Sequence, residues 1–199
     1  MMDITTKWQE AVKFHGHACP GLALGVRASL IALEKLGVER AEDEELVAIV
    51  ETDACGVDGV QVIAGCTLGK GNLFFRDYGK QVYTIARRDG NKAVRVAFYG
   101  SKPSEEQKAL REKVFSGKAS SEEKELFQSQ QQQRIQDILH LPFEKICKVE
   151  FVDIQLPSKA RIFNSIPCAE CGEYFMEPRG RLQNGKPVCL ACFKEYTRW

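Results

Sequence analysis

Two groups of histidine and cysteine carry the chemistry this sequence has to offer. The first is Phe14-His15-Gly16-His17-Ala18-Cys19-Pro20-Gly21, in which two imidazoles and a thiol fall within five residues. Nitrogen and sulfur donors of this kind suit zinc, iron, nickel or copper, not magnesium or calcium. Gly16 and Gly21 free the backbone, and Pro20 biases Cys19 toward an extended conformation. Alternate side chains of an extended segment share a face, so His15, His17 and Cys19 are expected to point the same way. His17 and Cys19 are the first candidates as ligands, with Cys55 arriving from elsewhere in the chain. His15 and Cys66 are candidates for the remaining position, although Gly16 could turn His15 away toward an acid–base or supporting role. Asp53 and Asp58 flank Cys55 and could orient a ligand imidazole or act as a general base. Capping and turn formation are the alternative for both. Lys70 sits in the glycine-rich stretch Gly65-Cys66-Thr67-Leu68-Gly69-Lys70-Gly71, where it could contact an anion. The stretch fails the nucleotide-loop template, since Ala64 takes the first glycine position and Gly71 follows the lysine.

The second group is Cys168-Ala169-Glu170-Cys171 and Cys189-Leu190-Ala191-Cys192. Two C-x-x-C knuckles at this spacing suit a tetrahedral structural zinc site, with redox dithiols or an iron–sulfur cluster as alternatives. So short a segment has too little core to fold unaided. Asn184-Gly185 and Pro187 predict a small hairpin between the knuckles, and residues 193–199 are expected to form a short helix. Arg179, Arg181, Lys186, Lys194 and Arg198 could meet phosphates, but Glu170, Glu173, Glu177 and Glu195 dilute that charge. A scaffold or protein-contact role is therefore preferred over nucleic-acid binding.

Several elements must position these residues. Thr6-Lys7-Trp8-Gln9 fits a capping box that opens a first helix. Residues 22–36 read as a second, apolar nearly all round and closed by Gly37, which predicts burial centrally or against a partner subunit. Residues 45–52 read as a core strand delivering Asp53 and Cys55, and 57–64 as a helix. Residues 73–78, 82–88 and 93–99 are strand candidates, the last two joined through Asp89-Gly90-Asn91. Ser104 and Ser120 open charged helices, the second carrying Gln130 to Gln133 on a solvated face, and Pro142 ends it. A strand at 146–154 holds Cys147, read as a core hydrophobe. Strands mixed with helices predict an α+β fold, with a mixed or antiparallel sheet and packed helices. The domains expected are a core at 1–157, a linker at 158–165 and a four-cysteine zinc finger at 166–199.

The composition excludes several classes. Lys and Arg number 28 against 27 Asp and Glu, so net charge is +1 and no strong field advertises nucleic acid or an anionic membrane. No run approaches the length of a membrane span and no signal-peptide pattern opens the chain. Eight cysteines without an export signal point to metal ligands or reactive thiols, not a disulfide frame, in a cytoplasmic protein.

The segment from Phe14 to Gly25, followed by Asp53-Ala54-Cys55-Gly56-Val57-Asp58-Gly59-Val60-Gln61 and Gly65 through Asn72, resembles the E-subunit family of formylmethanofuran dehydrogenase. The resemblance covers residues 1 to about 157. It implies an α+β core with a metal site, often an intertwined homodimer, and in some members an added zinc finger. The cysteine-rich tail is similar to treble-clef fingers of the DksA/TraR type. The resemblance implies an accessory or enzymatic role in molybdenum- or tungsten-linked one-carbon metabolism, with zinc in the finger and zinc or another transition metal in the core. The alternative is a metal-sensing regulator whose finger binds protein or nucleic acid. A thiol redox protein ranks last, because the core has no C-x-x-C.

Overall fold

The computed structural model describes residues 3–90, 92–100 and 102–198. Its chain divides into two units, residues 1–159 and 160–199. In the first unit, helix α1 (Ile4–His15) starts earlier than the capping-box reading places it. Asp3 is the cap, its carboxylate accepting from the N–H groups of Thr5 and Thr6 at 3.1 and 3.2 Å. Gly16 ends α1 in the left-handed region, with φ of 91°, and sends its N–H to the Val12 carbonyl. Helix α2 (Pro20–Leu36) begins with proline in its first turn and stops at Gly37.

Strand β1 (Leu46–Val50) is buried along its whole length and leads into α3 (Gly56–Ala64). Next come β2 (Leu73–Phe75), β3 (Val82–Arg87) and β4 (Lys92–Phe98), then α4 (Glu105–Phe115), α5 (Ser121–His140) and β5 (Cys147–Asp153). The five strands form one mixed sheet in the order β2-β1-β3-β4-β5. Among these pairs β2 runs parallel to its neighbour, β1, and the others are antiparallel. The α3 crossover permits that parallel pair. The β3–β4 pairing is in place from Val82↔Ala97 to Ala86↔Ala93, while Asn91 of the expected turn lies outside the described residues.

The core lies between the sheet and α2. Leu22, Val26 and Leu33 of α2 join Val50, Ile85, Val94 and Val96 of the strands in one buried cluster, and Cys147 belongs to it. Ile135, Ile138 and Leu139 dock α5 on the same cluster, leaving Gln132 and Gln133 exposed. Both Ser104 and Ser120 form complete capping boxes. The apolar girth of α2 is thus covered within its own unit, so it gives no separate argument for a partner subunit. No helix among the described residues is long and apolar enough to cross a membrane.

The second unit holds two small hairpins. Strand β6 (Ser165–Pro167) pairs with β7 (Tyr174–Met176), and β8 (Arg181–Gln183) with β9 (Lys186–Val188). The second hairpin turns on Asn184 and Gly185 with φ of 52° and 75°, the paired positive angles that an Asn-Gly turn supplies. The helix expected at 193–199 does not form across residues 193–198. Lys194 gives its N–H to the Gln183 side chain at 2.8 Å, not to a carbonyl one turn back. So short a tail cannot repay helix nucleation without packing.

Candidate metal centres

The core site is assembled by a backbone clasp between α2 and α3. A Cβ added at Gly25 would lie 1.8 Å from the Gly56 carbonyl oxygen, and one at Gly59 would lie 2.6 Å from the Val26 nitrogen. The two helices therefore touch backbone to backbone, which only glycine permits. Gly56 is pinned from its other side by the buried Tyr83, whose hydroxyl donates to Gln81 at 2.7 Å. This clasp brings the N-termini of both helices together, and each begins at a cysteine: Cys19 caps α2 and Cys55 precedes α3. Two helix N-termini place free N–H groups and positive dipole ends at the thiols. The Leu22 N–H reaches Cys19 Sγ at 3.3 Å. Burial nevertheless raises the Cys19 thiol above its ordinary range, and the neighbouring Cys55 thiol adds to the rise.

His15, His17 and Cys19 do converge, but through a turn between helices and not along an extended segment. His15 is the last residue of α1, and the left-handed Gly16 reverses the chain so that the imidazole faces the start of α2. His15 Nε2 lies 3.8 Å from Cys19 Sγ, and the His15 and His17 rings are 4.4 Å apart. One ligand atom from each of the three residues lies within 4.8 Å of the others. Donors around one tetrahedral zinc stand about 3.3–3.8 Å apart, so small side-chain adjustments bring the set onto an ion. Asp58 Oδ2 lies 2.6 Å from His15 Nδ1 and accepts a hydrogen bond from its N–H, which turns the Nε2 lone pair toward Cys19. Gln61 Nε2 in turn donates to the other Asp58 oxygen at 3.2 Å.

Four further candidates lie apart from this cluster or do other work. Cys55 borders the same space beside Gly21 as Cys19 but is not among the residues whose ligand atoms lie within 4.8 Å of one another. Asp53 is exposed, and the contact to an imidazole is made by Asp58. Cys66 is fully buried past the far end of α3, a helix about 13 Å long at 1.5 Å per residue. Burial pushes its thiol up to about 12, and its place beyond the opposite end of α3 makes it a core side chain outside the cluster around Cys19. Lys70 donates to the carbonyls of Ala41, Glu42 and Asp43 at 3.4, 3.1 and 3.1 Å. Asn72 bonds the Asp43 and Leu46 carbonyls, both at 3.0 Å. The glycine-rich stretch is therefore a latch on the loop before β1, not an anion cradle. Asp58 takes the imidazole-orienting place that the sequence offered to it and to Asp53, with His15 as its partner, whereas the clasp went unread in the sequence. The signal was there: Gly21 and Gly25 stand one turn apart, as nearly do Gly56 and Gly59.

In the second unit, ligand atoms of Cys168, Cys171, Cys189 and Cys192 all lie within 4.8 Å of one another. Backbone N–H groups, from Cys171 first and Cys189 second, lower the Cys168 thiol to about 6. Crowding by Cys189 and Cys171 pushes Cys192 up to about 12. Four sulfurs so close cannot all be thiolates without a cation among them, and a divalent ion of tetrahedral habit meets that need.

Residues 14–148 match the family described as "FmdE, Molybdenum formylmethanofuran dehydrogenase operon". The chain belongs to this family. Residues 161–198 of this FmdE-family protein match the prokaryotic dksA/traR C4-type zinc finger. A curated relative from Archaeoglobus fulgidus, named "Probable S-adenosyl-L-methionine-binding protein", is 42% identical over 196 residues. That match takes in 94% of this chain but 52% of the relative, so the chain spans about half the relative's length. A crystal structure of an FmdE-like protein of tungsten formylmethanofuran dehydrogenase type, from Syntrophus aciditrophicus, shares the fold, with a TM-score of 0.62 at 21% identity. The match covers 95% of this chain and 91% of that one.

Proposed function

We propose that this FmdE-family protein holds one transition-metal ion in its core on His15, His17, Cys19 and Cys55, and a structural zinc on Cys168, Cys171, Cys189 and Cys192. The convergence of the α1–α2 turn with the start of α3 carries the core assignment. The donor set fits zinc: two imidazoles and two thiolates, one imidazole oriented by Asp58. A bound ion would supply Lewis acidity, and exposed His17 marks the side from which a small molecule reaches it. On this reading the protein serves molybdenum- or tungsten-linked one-carbon metabolism, as an accessory component or an enzyme, in the cytoplasm and as a homodimer. S-adenosyl-L-methionine is named for a relative of which this chain spans about half, and the His/Cys cluster does not call for a nucleoside.

The alternative is a metal-sensing regulator whose finger docks a partner protein. Its support is the exposure of Tyr174, Leu182, Leu190 and Tyr196 on the second unit. Metal analysis of the purified chain tests the main reading. Wild type should carry two ions per chain, Cys19→Ala one and Cys168→Ser one. Undiminished metal in Cys19→Ala would remove the core assignment. A change in the finger's solvent exposure on core metal loss, read by hydrogen exchange, would favour the sensor.

A further inference from the structure

We infer that Cys19 and Cys55 form a reversible disulfide when the core metal is absent, so that the same pair of sulfurs serves as ligands or as an oxidised, metal-refusing lock. The inference rests on the metal reading above but adds a modification site to it.

The geometry is that of two thiols facing across a gap that only glycine leaves open. A Cβ added at Gly21 would lie 3.2 Å from Cys55 Cβ, 3.7 Å from Cys55 Sγ and 3.9 Å from Cys19 Sγ. Both sulfurs thus border one small space beside Gly21. Both cysteines are half-buried, so a small oxidant can reach them, unlike the fully buried Cys66. Each lies at the start of a helix, so the contact between α2 and α3 is what brings the two side chains to the same place. The backbone clasp at Gly25, Gly56 and Gly59 involves no ligand side chain, so an ion is not needed to bring the two helix starts together. Removing the ion therefore leaves two unshared thiols side by side in a folded protein. Closing the bond, at an S–S length of about 2.05 Å, takes rotation of the two side chains about their Cα–Cβ bonds into this gap.

The oxidant is a small-molecule disulfide such as oxidised glutathione. One protein thiolate attacks a sulfur of that disulfide, breaking its S–S bond and releasing one small thiol. The second protein thiolate then attacks the mixed disulfide, forming the Cys19–Cys55 bond and expelling the second small thiol. Two protons leave the protein thiols for the two released thiols, and two electrons pass from protein to oxidant. The product has no thiolate to offer a metal from either residue, and a dithiol reductant reverses it.

The experiment uses the full chain, with and without core zinc, incubated with oxidised glutathione and mapped by mass spectrometry after digestion. The expected result is a Cys19–Cys55 cross-linked peptide in the metal-depleted protein and its absence in the zinc-loaded one. Dithiothreitol should remove the cross-link and restore zinc uptake. Cys55→Ser should leave Cys19 as a stable mixed disulfide with glutathione. Metal-depleted protein whose Cys19 takes up glutathione but never transfers to Cys55 would overturn the inference, as would oxidised protein that binds core zinc as well as the reduced form. Failure of the metal reading shows separately: the reduced chain would then take up no core zinc, while the cross-link would form or fail on its own account.

Discussion

Gly25→Ala tests how the core site is built, because it puts one methyl group into a backbone contact. The added Cβ would stand 1.8 Å from the Gly56 carbonyl oxygen, against 3.4 Å for ordinary contact. The helices must therefore part by about 1.6 Å, and neither partner atom belongs to a side chain that could swing aside. Overpacking of this kind costs about 1–3 kcal/mol, and a backbone clash belongs at the upper end. Alanine gains about 1 kcal/mol over glycine in helix propensity, so a net loss of about 1–2 kcal/mol should remain. With a urea slope of about 1–3 kcal/mol per molar, the midpoint should fall by roughly 1 M at unchanged slope. The metal should be hit harder than the fold. Ligand distances tolerate about 0.2 Å, so parting the starts of α2 and α3 should pull Cys19 and Cys55 off a shared ion. Zinc titration against a chromophoric chelator should show core affinity down on the order of tenfold or more. Gly69→Ala is the control, since nothing lies within 4 Å of a Cβ there. A Gly25→Ala protein with the midpoint and zinc affinity of wild type would refute the clasp.

Asp58→Asn removes the acceptor that fixes the His15 tautomer, and core zinc affinity should drop about 10- to 100-fold in the same titration while finger zinc stays. Cys66→Ser puts a hydroxyl into a fully buried site and should cost about 1–3 kcal/mol in urea unfolding, with both metals retained. Lys70→Met removes the ammonium shared by three carbonyls of the loop before β1, so amide exchange should quicken at residues 41–43 without any change in metal content. Cys168→Ser should release the finger ion and collapse amide protection across residues 165–192, leaving the core's far-UV spectrum intact.

Periodicity and caps made most of the fold legible. The apolar runs of β1 and α2, the Gly37 stop and the two serine capping boxes each follow from chemistry within a few residues. The candidate ligands His15, His17 and Cys19 were visible by type, but their route to convergence was not. It depends on Gly16 taking a φ of 91°, which a glycine permits and no neighbouring residue announces. Asp58 was legible as a residue able to orient an imidazole, but the choice of Asp58 over Asp53 and of His15 as its partner rests on a contact across 43 residues of sequence, which local spacing cannot encode. Lys70 and Cys66 misled for the opposite reason. Their residue types suit a site, yet they lie beyond the other end of α3 from Cys55, and only the direction of that helix separates them from it. The tail beyond Cys192 misled too, because a side chain, Gln183, supplies a bond that a helix would have made.

The two candidate metal centres stand in opposite relation to the fold around them. Across the described residues of the second unit, Cys168 and Val188 are the buried apolar side chains, far too little to offset the entropy of ordering some forty residues. Its structure must come from the ion, so metal loss and unfolding there are one event. The core is the reverse case. Leu22, Val26, Leu33, Ile63, Ile85, Val94 and Val96 are almost wholly buried, and the glycine clasp fixes the two helix starts before any ion arrives. A preformed site can lose its metal and keep its shape. Finger zinc should then resist a chelator until the tail unfolds, while core metal should exchange at a rate set by access past His17. Purified protein challenged with a chelator should therefore lose its ions in two phases, the core first. A single phase, with both ions leaving together, would mean that the core is not preformed and that the clasp forms only around metal.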